Sequence, residues 1–265
     1  ANSPDAFNER NGNVTFDGAG TGTLTSTTIS AGETFYDLTM NKTAGTDNLF
    51  LSNNITVTNQ LTLTLGYILT SYYSLTLDAT ALAVSGTSDN SFVDGPVIKK
   101  TNSTSAYILP IGKISPNNEY RPLKITPAGT STTTYVVEYL YGQPTNNTDV
   151  GTGVDHVSEL ESWTVQRTSG TEDAKIELSW NLNSVVSTNT TDLLVVQDQG
   201  SAGPRWINRC TCTTAGTTTS GTIQTNGYVS LFGSTYPFSL ASPHATNNEL
   251  GNSRYSIANG NWNST

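Results

Sequence analysis

The chain has 265 residues, with 12 Lys and Arg against 21 Asp and Glu, a net charge of −9 and only 12% charged residues. This acidic balance excludes a nucleic-acid partner, because the phosphate backbone repels it. No polybasic segment draws the chain onto anionic lipid, and no run approaches the ~18 apolar residues of a membrane-spanning helix.

The length accommodates one large all-β domain or two ordinary ones. About one residue in six is Thr, and a chain rich in Thr but poor in Lys and Glu favours strands over helices. The opening ANSPDAFNERNG has neither the basic start nor the apolar stretch of an intact signal peptide. Either a signal has been removed or Ala1 lies inside a longer chain.

Short strands are predicted first at NVTFDG (13–18), GTLTST (22–27) and FYDLTMNKT (35–43). From 49 to 84, apolar residues fall in short bursts at Leu49, Leu51, Ile55, Val57, Leu61, Leu63, Leu65, Ile68, Leu75 and Leu77. Asn53, Asn54, Asn59 and Gly66 supply corners between the bursts. Coils of a few short strands joined by tight turns, stacked over a continuous aliphatic core, form a parallel β-helix. An antiparallel sandwich shows the same alternation, but Asn-Gly and Asp-Gly hairpin signals are scarce inside 49–84, which favours the solenoid. The β-helix is assigned to 1–102.

After DGPVIKKTNSTS, with Lys99 and Lys100 near the junction, strands lengthen and Trp, Tyr and Pro appear. Strands are expected at 106–112, 119–127, 133–142, 161–170, 174–181, 191–198, 204–209, 220–225, 227–233 and 236–242. Their spacing and the alternation of Trp163, Trp180 and Trp206 with aliphatics predict an antiparallel β-sandwich over 103–242. Val154, Val157 and Leu160 have helical spacing and predict one helical turn within 153–163. Residues 243–253 read as a linker. RYSIANGNWNST (254–265) reads as the start of a following repeat or as an exchanged strand, with Tyr255, Ile257 and Trp262 as its assembly residues.

No motif commits the chain to catalysis. Acid–base glycoside chemistry needs two carboxylates about 5–10 Å apart in a cleft, and Asp37 and Asp78 are the only pair with a suggestion of a shared face. His156 and His244 have no G-x-S-x-G elbow beside them, so surface or capping roles are expected. DGAGTGTL (17–24) leads into a strand, not a helix, and reads as a turn rather than a phosphate loop. Calcium is the one ion the loops could hold, with Asp89 and Asp94 or Asp149 and Asp155 as candidate ligands. Tyr67, Tyr72 and Tyr73 are candidate glycan platforms, with corner packing as the bland reading. Cys210 and Cys212 lack the second pair of a zinc site; a local disulfide and two free thiols both fit.

ETFYDLTMNKTAG, NNITVTNQLTLTLGYI and SFVDGPVIKK, in that order, resemble repeats of large surface proteins exported by the type IX secretion system of gliding bacteria and their relatives. AYILPIGK, EYRPLKITP, ESWTVQRTSGTEDAKIELSWN, YPFSLAS and RYSIANGNWNST extend the resemblance over nearly the whole chain. It implies a non-enzymatic extracellular module of a cell-surface adhesin or fibre. Its partners would be neighbouring repeats or protomers, with surface glycans as further ligands. Two other expectations stand beside it: an ancillary module of a secreted polysaccharide-degrading enzyme, and a filament subunit that adds its C-terminal strand to the next protomer. The cysteines of RCTCTT depart from the family pattern. The family's C-terminal sorting domain is not seen, so the resemblance implies an internal unit.

Overall fold

In a computed structural model, residues 11–25, 32–186, 189–200, 203–231, 234–244 and 250 are described. The first half consists of β1 (Asn13–Phe16), β2 (Gly22–Leu24), β3 (Glu33–Asn41), β4 (Asn48–Leu51), β5 (Ile55–Leu65), β6 (Tyr67–Leu69), β7 (Leu75–Leu77), β8 (Val93–Asp94) and β9 (Val97–Thr101). Odd-numbered strands pair in parallel in the order β1-β3-β5-β7-β9, and even-numbered strands pair in parallel as β2-β4-β6-β8. The result is a β-solenoid of about four turns.

The alternation in the sequence becomes columns of stacked side chains. Ile55, Leu75 and Val97 lie side by side on successive strands, as do Phe35, Val57 and Leu77. Leu38 faces Leu61 and Met40 faces Leu63, and all four are fully buried. Leu49, Ile68 and Val93 form the matching column of the second sheet. The intervening Thr34, Thr56 and Thr76 make an outward column, where β-branched side chains suit a pleated, half-buried surface. A bulge between Phe35 and Asp37 adds the local bend that a long strand needs to follow a coil.

Polar side chains tie neighbouring coils together, and Asn59, expected at a corner, lies inside β5 instead. Asn59 Nδ2 donates to Asp37 Oδ1 at 2.7 Å across 22 residues, and the Ser74 amide donates to Asn54 Oδ1 at 2.9 Å across 20 residues. Gly66 turns the chain between β5 and β6 at φ 90°, and a Cβ there would meet the Asp47 carbonyl oxygen at 2.5 Å. Only glycine satisfies both conditions.

The second half consists of β10 (Tyr107–Leu109), β11 (Ile111–Lys113), β12 (Glu119–Tyr120), β13 (Leu123–Pro127), β14 (Thr133–Tyr141), β15 (His156–Val157), β16 (Glu161–Ser169), β17 (Ala174–Asn181), β18 (Leu194–Asp198), β19 (Trp206–Asn208), β20 (Cys212–Gly216), β21 (Ser220–Thr225) and β22 (Tyr236–Ser242). β11 joins the second parallel sheet beside β8, and β12 then pairs antiparallel with β11. β14 pairs antiparallel with β9, so the first parallel sheet runs on through β16, β22, β18 and β19 as eleven strands, with β15 against β22. A separate antiparallel sheet has the order β10-β13-β17-β21-β20. One core cluster contains Leu38, Leu63 and Val97 from the solenoid. It also contains Val137 and Trp163 from the long sheet and Ile125, Ile176 and Ile223 from the five-stranded one.

The helical turn expected within 153–163 is absent. Among the described residues there is no α-helix, only a 3₁₀ turn at Leu182–Ser184. The Asp155 and Ser158 amides donate to the Ser242 and Leu240 carbonyls at 2.8 Å, drawing the segment onto β22. Val154 and Val157 bury against Trp206, so tertiary pairing overrides their helical spacing. Within the expected linker, Leu250 is buried and bridges Val186. Tyr255, Ile257 and Trp262 lie outside the described residues.

Replacing Leu63 by Ala removes a fully buried rung and is expected to cost about 2–5 kcal/mol in urea denaturation. Leu182→Ala, at a side chain that is mostly exposed, is expected to stay within about 0.5 kcal/mol.

Candidate functional site

Three constellations of polar side chains stand out, all where the solenoid meets the second half. In the first, Arg121 follows β12 and is 1% exposed. Its Nη2 lies 2.6 Å from Glu119 Oε2 and its Nε 2.9 Å from Glu161 Oε2, both carboxylates being buried. Tyr139 Oη donates to Glu161 Oε2 at 3.0 Å, Asn181 Nδ2 donates to Glu119 Oε2 at 3.1 Å, and Asn183 Nδ2 donates to Glu119 Oε1. Trp163 Nε1 donates to the Arg121 carbonyl at 3.1 Å. Burial pulls the guanidinium's pKa down, but Glu161, Tyr139 and Glu119 outweigh it and hold the pKa above its ordinary value. Burial, reinforced by Glu161, drives the Tyr139 hydroxyl far above the ordinary phenol range. Both carboxylates face one cation, and the buried Glu161 Oε1 has no hydrogen-bond partner among the described residues. The cluster fastens β12 to β14, β16 and β17.

The second constellation is Lys99. It occupies the column position held by Phe35, Val57 and Leu77 on the earlier coils, and Tyr135 of β14 follows it. Its Nζ donates to the Asp78 carbonyl at 2.7 Å and the Ala81 carbonyl at 3.2 Å, and lies 4.4 Å from the centre of the Tyr107 ring. The ammonium therefore caps carbonyls of the turn after β7. Burial lowers its pKa to about 8, partly offset by the Asp78 charge.

The third is a cleft of about 290 Å³ whose lining includes Phe50, Ser71, Asp94, Lys113 and Glu138. Lys113 Nζ lies 2.7 Å from Asp94 Oδ1 and 3.6 Å from Glu138 Oε1. It opens to a ligand-sized space with mixed polar and apolar walls, as does the second constellation, where Lys99 lines a cleft of about 290 Å³ with Leu82, Tyr107 and Ile108.

No protein-family model, curated protein or solved structure matches the chain.

The sequence candidates fall as follows. Asp94 anchors the segment joining β11 and β12, and Asp89 anchors β12 itself. Asp89 Oδ1 accepts from the Tyr120 amide at 2.9 Å, and Asp94 Oδ2 accepts from the Ile114 amide at 3.1 Å while Oδ1 faces Lys113. Asp155 Oδ2 sits 3.0 Å from His156 Nδ1, and the Asp149 carbonyl accepts from the Trp206 amide. Among the described residues, no group of three or more His, Cys, Asp or Glu is placed to hold a metal ion. Asp37 is bonded to Asn59, whereas Asp78 faces Lys100 at 3.3 Å. The structure does not offer Tyr67 as a platform: it is buried, its ring is 4.6 Å from that of Phe92, and its hydroxyl donates to the Asp89 carbonyl. Tyr72 is 99% exposed and Tyr73 is partly exposed. His244 is exposed, with Asp192 at 3.7 Å. Cys210 and Cys212 form a disulfide, resolving the two alternatives.

Sequence reasoning missed the Arg121 cluster, because Glu161 lies 40 residues from Arg121. The one available signal was an Arg two residues after a Glu inside apolar, strand-forming text, EYRPL.

Lys99 gives a pH signature. Its folded pKa lies below the unfolded value of 10.5, so the buried charge opposes folding fully below pH 8, and the opposition fades as pH rises toward 10.5. Stability in urea is expected to rise by roughly 2 kcal/mol between pH 8 and 10. Above about pH 10 the raised hydroxyls of Tyr135 and Tyr139 reverse the trend, since only the unfolded chain then ionises them. Lys99→Met should abolish the rise; an unchanged slope in that variant would assign it to another group.

Proposed function

We propose that the chain is a non-enzymatic structural and adhesive module of a long extracellular bacterial surface protein or fibre, of the kind its sequence resembles. In this reading residues 1–102 are a solenoid rod and 103–242 a β-sandwich capping it. The segment from 254 supplies Tyr255, Ile257 and Trp262 to the next unit or protomer. The observation that carries the proposal is the passage of the parallel ladder into antiparallel strands without a break at β9 and β14, over one shared core. Such continuity suits a part that transmits load along its length. The polar clusters support the same reading, because their carboxylates face cations or backbone amides within the protein.

The test is durability without turnover. Under native conditions thermolysin should leave a core fragment spanning both halves, and the purified chain should release no reducing ends from a panel of neutral and acidic polysaccharides. Reducing ends from any of them would replace this reading with an enzymatic one. Rapid native digestion of both halves would contradict a structural role.

A further inference from the structure

Phe50, Leu69 and Asp94 form one row across the second parallel sheet, with Gly112 continuing it. Phe50 is 39% exposed, so the outer side of this row is an apolar wall ending in a carboxylate. Gly112 adds no side chain beyond Asp94. Lys113, next along β11, and Glu138 of β14 close the cleft from the other side.

The polar end is held in place while remaining reachable. Asp94 is fixed by Lys113 and the Ile114 amide, and the side chains of Lys113 and Glu138 each keep 29% of their surface exposed. Asp94 and Glu138 offer acceptors and Lys113 offers donors, within one small space. Ser71, in the left-handed region at φ 53°, lines the rim, and the fully exposed Tyr72 follows it.

A pyranose ring has the complementary surface. Its C–H face is apolar and packs on an aromatic wall, while each ring hydroxyl both donates and accepts. A chain carrying −9 overall, with two carboxylates and one ammonium at this point, repels anionic sugars.

We infer that this cleft binds a neutral or amino pyranose of a surface glycan, with the ring on Phe50 and hydroxyls on Asp94, Lys113 and Glu138. The inference deepens the adhesive part of the proposed function and rests on that reading for its extracellular setting.

A glycan array followed by calorimetric titration of the best neutral or amino glycan tests it. Binding should favour neutral or amino glycans over uronates. Phe50→Ala and Lys113→Met should each weaken it about ten-fold or more. Phe50→Tyr, which keeps the aromatic wall, should retain it, and Tyr228→Ala, at an exposed ring remote in sequence from the cleft, should leave it unchanged. Thermal melts establish that each variant is folded; if Lys113→Met is not, Phe50→Ala and Phe50→Tyr decide. If no neutral or amino glycan binds the unmodified chain, or if folded Phe50→Ala binds as well as Phe50→Tyr, the inference is overturned. Either failure leaves the structural reading standing, whereas polysaccharide turnover would remove that reading without touching this one.

Discussion

The last strand of a parallel ladder leaves a row of N–H and C=O groups without partners, an invitation to uncontrolled edge pairing. Here the chain after Thr101 covers the last strand of each parallel ladder. β14 lies antiparallel on β9, and β12 lies antiparallel on β11. Antiparallel strands can continue by short connections, without the long crossover that another parallel strand would need. The rung Ile55, Leu75, Val97 therefore runs on into Val137 and Val165 of the second half. The hydrophobic core follows the backbone across the join. In an isolated solenoid each coil contacts only its neighbours; here the last coils are built into a larger sheet.

Two buried charges mark that join, for different reasons. Lys99 stands in the column after the apolar Phe35, Val57 and Leu77, and its ammonium donates to the turn carbonyls of Asp78 and Ala81. Arg121 gathers Glu119 and Glu161 with amides from Asn181 and Asn183. Buried pairs of this type add little net stability over a well-packed apolar core, but removing one partner leaves an uncompensated charge and is costly. Their consequence here is geometric. The network ties β12 to β14, β16 and β17, and β12 in turn pairs with β11, which carries Lys113.

Much of the solenoid was legible in the sequence. Bursts such as ITV and LTL state the inward columns directly, because a period of two maps onto one face of a strand. Asn54 and Gly66 state corners, whereas Asn59, also expected at one, lies inside β5. The parallel direction was legible only indirectly, from scarce hairpin turns. β20 was not expected, since CTTAG carries too little apolar periodicity to signal a strand and gains its place by pairing with β21. The segment around Val154 misled, because three aliphatics at helical spacing also suit an irregular segment pinned to β22. At the cleft, Phe50 carried no signal, because it alternates with the inward Leu49 and Leu51 on a strand whose outer face the sequence leaves unassigned. The Asp94–Lys113–Glu138 grouping joins three strands far apart in the chain. No local pattern encodes it, because strand register, not sequence distance, brings those side chains together.

The picture is of a rod whose end is built into the body that follows it. Native-state hydrogen exchange tests this most directly, by comparing amides of β5, β9, β14 and β16 with the free energy of global unfolding. The account predicts that all four strands exchange through the same opening, at the global value. Exchange of β5 and β9 through a lower-energy opening that leaves β14 and β16 protected would contradict it, showing a solenoid that unfolds independently of its cap.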